Sequence, residues 1–182
     1  MTRLPIYAIV LLSLLFIQCN TNNDFLITKG QVGKLDKSTP IDQLETIFAT
    51  DSIVRDTVFT NIGERVKKID IFEKGGAHLM TLTPTLDSVP KVDIIRIYDP
   101  RFVTDKGVGL NSTFKDIREK HNVGKIVTAL NNIVVFLKDS DAYFTIAKSE
   151  LPSSLQYNSS TNIEAVQIPD AAKIKYIMVG WE

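Results

Sequence analysis

A helix signal followed by four alternating apolar runs occurs twice in this chain, and few folds accommodate that order. The first signal is Ser38-Thr39-Pro40: Thr39 suits a helix N-cap and Pro40 the first helical position. Ile41, Leu44 and Phe48 then fall at i, i+3 and i+7, one apolar face. The second is Ser112-Thr113, with Asp116 three residues after Thr113, as in a capping box with Asp in place of Glu. Phe114, Ile117 and His121 occupy the matching face. Each helix follows a glycine-containing lead-in, Gln31-Val32-Gly33-Lys34-Leu35 and Gly107-Val108-Gly109-Leu110.

The runs after the first helix are 52–59, 66–72, 78–82 and 92–98; those after the second are 125–130, 133–137, 142–146 and 173–181. Alternation of apolar and polar residues predicts strands with one covered face. Lys74-Gly75-Gly76 and Asp139-Ser140-Asp141 are hairpin turns between matched central runs. The expected fold is α+β, a tandem repeat of one helix plus about four antiparallel strands, in halves 25–104 and 105–182 that can share one continuous domain. Segment 152–162, rich in Ser and Asn, reads as a long loop before the final strand. That strand is apolar on both faces, which predicts a central or covered position.

A length of 182 residues suits one domain or two small ones with a real core. Lys plus Arg (21) balances Asp plus Glu (21), so no basic excess points to nucleic acid. An apolar content of 44% is too high for a disordered tail. One cysteine excludes an internal disulfide framework and a Cys-rich zinc site, and two histidines leave little for a His-based metal centre.

The N-terminus reads as an address. Arg3 is the only charge in residues 1–18, and the apolar run 4–17 is broken only by Pro5, Tyr7 and Ser13. Fourteen helical residues cover about 21 Å, short of a bilayer core of about 30 Å, so an uncleaved membrane anchor is the weaker reading. Cys19 follows Leu15-Phe16-Ile17-Gln18 and resembles the lipobox of bacterial lipoproteins, whose cysteine carries a diacylglyceryl thioether after cleavage. Ile17 suits that pattern, whereas Gln18 and Phe16 depart from the usual Gly or Ala and Leu. The alternative is a free cysteine buried as a small hydrophobe. Residues 19–24 would form a short lipidated tether; acyl chains then hold the protein on a membrane without a spanning helix. By the enterobacterial sorting rule, Asn20 implies the outer membrane, and the lack of a dense acidic run favours its periplasmic face over the cell surface.

The order of these signals resembles a family of bacterial envelope lipoproteins of unknown function, whose enterobacterial member is described as sigma-E-regulated. The matching features are Val32-Gly33-Lys34-Leu35 with Thr39-Pro40, the strand pair from Ile69 to Thr83, Gly107-Val108-Gly109-Leu110 with Thr113-Phe114, and Ile174, Ile177 and Trp181. The resemblance is distant and suggests a member of the Bacteroidetes type. It implies an envelope lipoprotein and brings no functional residues with it.

No G-x-S-x-G elbow, P-loop, G-x-G-x-x-G or H-E-x-x-H motif is present. Gly107-Val108-Gly109 lacks the third glycine of a dinucleotide site and reads as a turn. His121 reads as a helix-end residue and His78 as a half-exposed strand residue, and nothing brings the two together. Asp139 and Asp141 flank a hairpin tip and could contribute to a hard-cation site, but a solvated turn is the simpler reading. Asp99-Pro100-Arg101-Phe102 reads as a turn pinned by proline. The aromatics Phe59, Phe72, Tyr98, Phe102, Phe136, Tyr143, Phe144, Tyr157, Tyr176 and Trp181 read as core rather than as a sugar platform. Asp51-Ser52-Ile53, Asp56-Thr57-Val58 and Asp87-Ser88-Val89 resemble an O-glycosylation acceptor pattern of Bacteroidetes.

The expectation is therefore a non-enzymatic binding or structural module of the cell envelope, with no cofactor, catalytic residue or metal ligand. It would be membrane-attached through Cys19 and engage an envelope protein rather than nucleic acid. The exposed sheet of such tandem units engages partners in β-lactamase-inhibitor-like and assembly-factor lipoproteins, an analogy of architecture only. The alternative is a periplasmic small-ligand-binding protein or carboxylate-dependent hydrolase. The hydrolase would use two of Asp99, Asp105, Asp139 and Asp141 across a cleft about 5–9.5 Å wide.

Overall fold

The computed structural model describes residues 23–59, 65–156 and 162–181. Alternation along the chain produces a single antiparallel sheet of eight strands. β4 (Ser52–Phe59), β5 (Arg65–Phe72), β6 (His78–Pro84) and β7 (Val92–Ile97) form one meander, and β9 (Val123–Thr128), β10 (Asn132–Leu137), β11 (Ala142–Ala147) and β12 (Ile174–Gly180) a second. The two join through their last strands, giving the order β4-β5-β6-β7-β12-β11-β10-β9. At the seam, Ile177 lies opposite Ile97 and Val179 opposite Ile95. β12 is thus central, which explains why it carries apolar residues on both faces.

One face of the sheet is the core. Ile71, Leu82, Ile95, Ile177, Val179, Phe144, Ile146, Ile133 and Val135 are fully buried there or nearly so. Phe114 and Ile117 of the helix Phe114–Lys120 (α2) belong to the same cluster, and each such burial contributes about 1.5–3 kcal/mol. The helix starts at the predicted capping box: the Thr113 backbone N–H donates to the Asp116 carboxylate at 2.8 Å. That bond and the one from the Thr113 hydroxyl hold the Asp116 carboxyl below its ordinary range.

The first helix is shorter than the sequence suggests. A 3-10 turn, Ile41–Gln43, runs into a single α-turn, Leu44–Ile47 (α1). Pro40 is extended rather than helical, because residues 39–41 are pinned to the start of β7: Val92 N–H donates to the Thr39 carbonyl and Ile41 N–H to that of Pro90. The Thr39 hydroxyl accepts from the Asp36 N–H instead of capping the helix. Leu44 and Phe48 nevertheless face the core.

The glycine lead-ins build a second sheet that the periodicity does not reveal. β1 (Leu26–Thr28), β2 (Gln31–Val32), β3 (Leu35–Asp36) and β8 (Val103–Thr104) associate in the order β3-β2-β1-β8, with β1 and β8 parallel. Gly33 turns with φ +52°, and a Cβ there would lie 2.4 Å from the Asp24 carbonyl oxygen. Only glycine fits. The class is α+β with strands dominating and two sheets. The Ser/Asn-rich stretch contains the helical turn Ser153–Gln156 (α3) before the chain reaches β12.

Candidate functional site

The face of the large sheet opposite the core is uncovered among the described residues, and it concentrates the chain's aromatic side chains. Strand register sets Phe72 opposite His78 across β5 and β6, and Tyr98, one residue past β7, and Tyr176 of β12 share their face. His78 stacks between Phe72 (centroids 4.5 Å apart) and Tyr98 (4.0 Å). In the adjacent row Arg96 faces Met178, and its guanidinium lies over the rings of Tyr98 (4.9 Å) and Tyr176 (4.0 Å). Farther along, Tyr143 stacks on Phe136 at 5.0 Å. Val54, Ile94, Val127 and Val134 add apolar surface to the same face.

The expectation that the aromatics form core holds for Phe102, Phe144 and Trp181. It fails for Phe72, Tyr98, Phe136, Tyr143 and Tyr176. They alternate with the buried Ile71, Ile97, Val135, Phe144 and Ile177, so the pleat turns them outward. The side chain of Phe59 and the whole of Tyr157 lie outside the described residues. A sugar platform presents bare ring faces, whereas here Phe72, His78 and Tyr98 occupy one another's faces and Arg96 covers Tyr176. The rings are thus spent on a packed, partly apolar surface.

Arg96 was not singled out by sequence motifs. Its signal is a lone charge within Ile94-Ile95-Arg96-Ile97-Tyr98. Its Nε is buried without a hydrogen-bond partner, and among the described residues no carboxylate forms an ion pair with it. The carboxylate two strands away, Asp70, accepts from the Thr81 hydroxyl and lies 3.2 Å from His78 Nε2. This Asp–His–Thr group is no proton relay, because carboxylate and hydroxyl approach the same ring nitrogen. A relay needs them on opposite nitrogens.

His121 does have partners on opposite nitrogens. Nδ1 lies 3.3 Å from Asp139 and Nε2 2.9 Å from the Thr104 hydroxyl. Yet Thr104 is 1% exposed and its hydroxyl also accepts from Val108 N–H, so no substrate reaches the oxygen. The group ties the lead-in 104–108 to the end of α2 and to the β10–β11 hairpin. His121 is therefore a helix-end residue, as expected, and a buried one that acts as a bracket. Burial pushes the Asp139 carboxyl up, but the hydrogen bond from Lys106 and the donors and charge around it hold it below the ordinary value. The two histidines join different groups.

The four candidate carboxylates of the hydrolase reading do not converge. Asp99 is buried and held by Arg101, which donates from Nε at 2.9 Å and Nη2 at 2.8 Å and also grips Glu73. The Arg101 bonds keep the Asp99 carboxyl below its usual range. Asp105 is exposed, Asp139 sits in the His121 group, and Asp141 accepts from Gly30 N–H at 2.9 Å. None of them lines the three grooves beside Arg55, Lys37 and Phe48. One groove, of about 910 Å³, lies at the sheet end beside Arg55, Lys67, Thr83, Leu86 and Asp93. Among the described residues no cluster of His, Cys, Asp and Glu could hold a metal ion.

Gly107 and Gly109 serve a turn: Gly107 has φ +73°, and a Cβ on Gly109 would lie 2.8 Å from the Phe102 carbonyl oxygen. Ser52 and Ser88 of two acceptor-like triplets are exposed, while the Thr57 side chain is not among those described. Cys19, the apolar run expected to be a signal segment and residues 20–22 lie outside the described residues. No family model, curated protein or solved structure matches the chain.

Proposed function

We propose that this chain is an acylated lipoprotein, attached through Cys19 to the periplasmic side of the outer membrane, whose folded body binds an envelope protein without catalysing a reaction. The observation that carries the binding half is the uncovered sheet face, where Arg96, Tyr98, Tyr176, Met178, Tyr143 and Phe136 form a continuous patch. Tyr, Phe, Met and Arg are the residue types enriched at protein interfaces. The anchoring half rests on Cys19 at the end of a short apolar run. The two helix-plus-meander series are read as a tandem repeat, supported by the mirrored strand order about the β7·β12 seam. A crystal structure in which 41–97 could not be superposed on 114–147 with 174–180 would overturn the repeat.

Amine crosslinking in intact cells, followed by mass spectrometry, tests the function. Adducts to one envelope protein should map to Lys68 and Lys125, which register and alternation place on the open face. Adducts equally spread over Lys115 and Lys120 of α2 would overturn the reading. Fractionation tests the anchor: Cys19→Ala should move the protein from membrane to soluble fractions, and an equally membrane-bound variant would end the lipidation reading.

A further inference from the structure

We infer that Arg96 is the anchor of the docking surface and that it receives a carboxylate side chain presented by the protein partner. The inference rests on the reading of the open face as a protein-binding surface and adds the chemistry of what binds there. The first ground is charge. Arg96 sits near the middle of the sheet, on β7 beside the seam, and no carboxylate of the described structure pairs with it. The charged groups around it leave it available. Asp70 is engaged by Thr81 and His78, and Met178 and Thr81, its cross-strand neighbours, carry no charge.

The second ground is preorganisation. Tyr98 follows Arg96 by two residues, just past the end of β7, and Tyr176 lies diagonally across the seam, so the two rings approach the guanidinium and hold its plane. Tyr98 is itself backed by His78 and Phe72. A guanidinium fixed this way has lost its rotamer freedom before binding, which removes part of the cost of association. Its planar fork matches a carboxylate with two parallel N–H bonds. Nε is buried and unpaired, so on this half-buried side chain the two Nη groups are the end of the fork that meets an acceptor from outside.

The third ground is shape. The three described grooves do not include Arg96, Tyr98 or Tyr176. The walls that exclude water around the pair therefore come from apolar side chains that flank the partner's carboxylate. Interface energy concentrates in Arg and Tyr at the desolvated centre of such patches.

Two measurements test the anchor. In purified full chain, the Arg96 Nε–H resonance is followed while N-acetyl-Phe-Glu-Phe amide or its Gln analogue is added. The Glu peptide should shift that resonance and the Gln peptide should not; equal shifts, or none from either, overturn the inference. In cells, Arg96→Gln should reduce the crosslinked adduct at Lys125 at least tenfold, with Arg96→Lys retaining an intermediate yield and both variants keeping the wild-type melting temperature. Undiminished adduct in Arg96→Gln would overturn the anchor and leave the docking surface standing. Absence of a mapped adduct in the wild type would overturn both.

Discussion

The Arg96 guanidinium lies 4.0 Å from the centroid of the Tyr176 ring, and this contact crosses from the strand that ends one meander to the strand that ends the other. The two four-stranded series therefore share one surface. Damage to either last strand should disturb both the sheet's continuity and its open face.

The division of the sheet into a covered and an open face is tested on one strand. Ile177→Ala, at a fully buried position between β7 and β11, should cost about 2–5 kcal/mol of stability. Met178→Ala, one residue on and facing outward, should cost about 1 kcal/mol or less. Urea denaturation of both variants gives the comparison. Equal losses would contradict the assignment of faces.

Asp99 supplies a pH-dependent term. Its folded carboxyl titrates below the ordinary value of 3.8 because of Arg101. A depressed carboxyl stabilises the fold fully above its unfolded pKa and loses that contribution as pH falls through the folded one. Asp99→Asn should therefore cost about 1.5–3 kcal/mol at pH 7, and the gap from wild type should narrow as pH falls below 3.8. A gap that persists unchanged in acid would show that the carboxylate charge is not what matters.

The buried group around His121 is predicted to be structural. Thr104→Val removes the hydroxyl that partners His121 Nε2 and Val108 N–H, leaving both without their acceptor or donor. A loss of about 1–3 kcal/mol is expected in thermal or urea unfolding, with crosslinking from the open face unchanged. Loss of crosslinking at intact stability would assign this group to function instead.

Much of the large sheet was legible because its strands alternate. The run 52–59 coincides with β4, and the remaining seven runs differ from their strands by a residue or two at the ends. The small sheet was not, since strands of two or three residues are too short to show a period of two. The first helix is shorter than its sequence signal because Thr39 and Pro40 carry helix-start chemistry in either conformation. Only the tertiary bond from Val92 to Thr39 selects the extended one. His121 continued the apolar stripe of α2, but the backbone leaves the helix at that residue and turns its ring toward Thr104. The open face was hidden for a related reason: Ile94, Val134 and Met178 make several strands apolar on both sides. Alternation there distinguishes two faces without saying which one is covered.

The central claim, that this open face docks a protein, is tested most directly by a photoreactive phenylalanine analogue placed at Phe136, which is 36% exposed on that face. The same analogue at Glu119, exposed on the outer side of α2, is the control. Irradiation of intact cells should yield one discrete adduct of constant mass from position 136 and none from 119. The same adduct from both positions, or no adduct from position 136, would contradict the account.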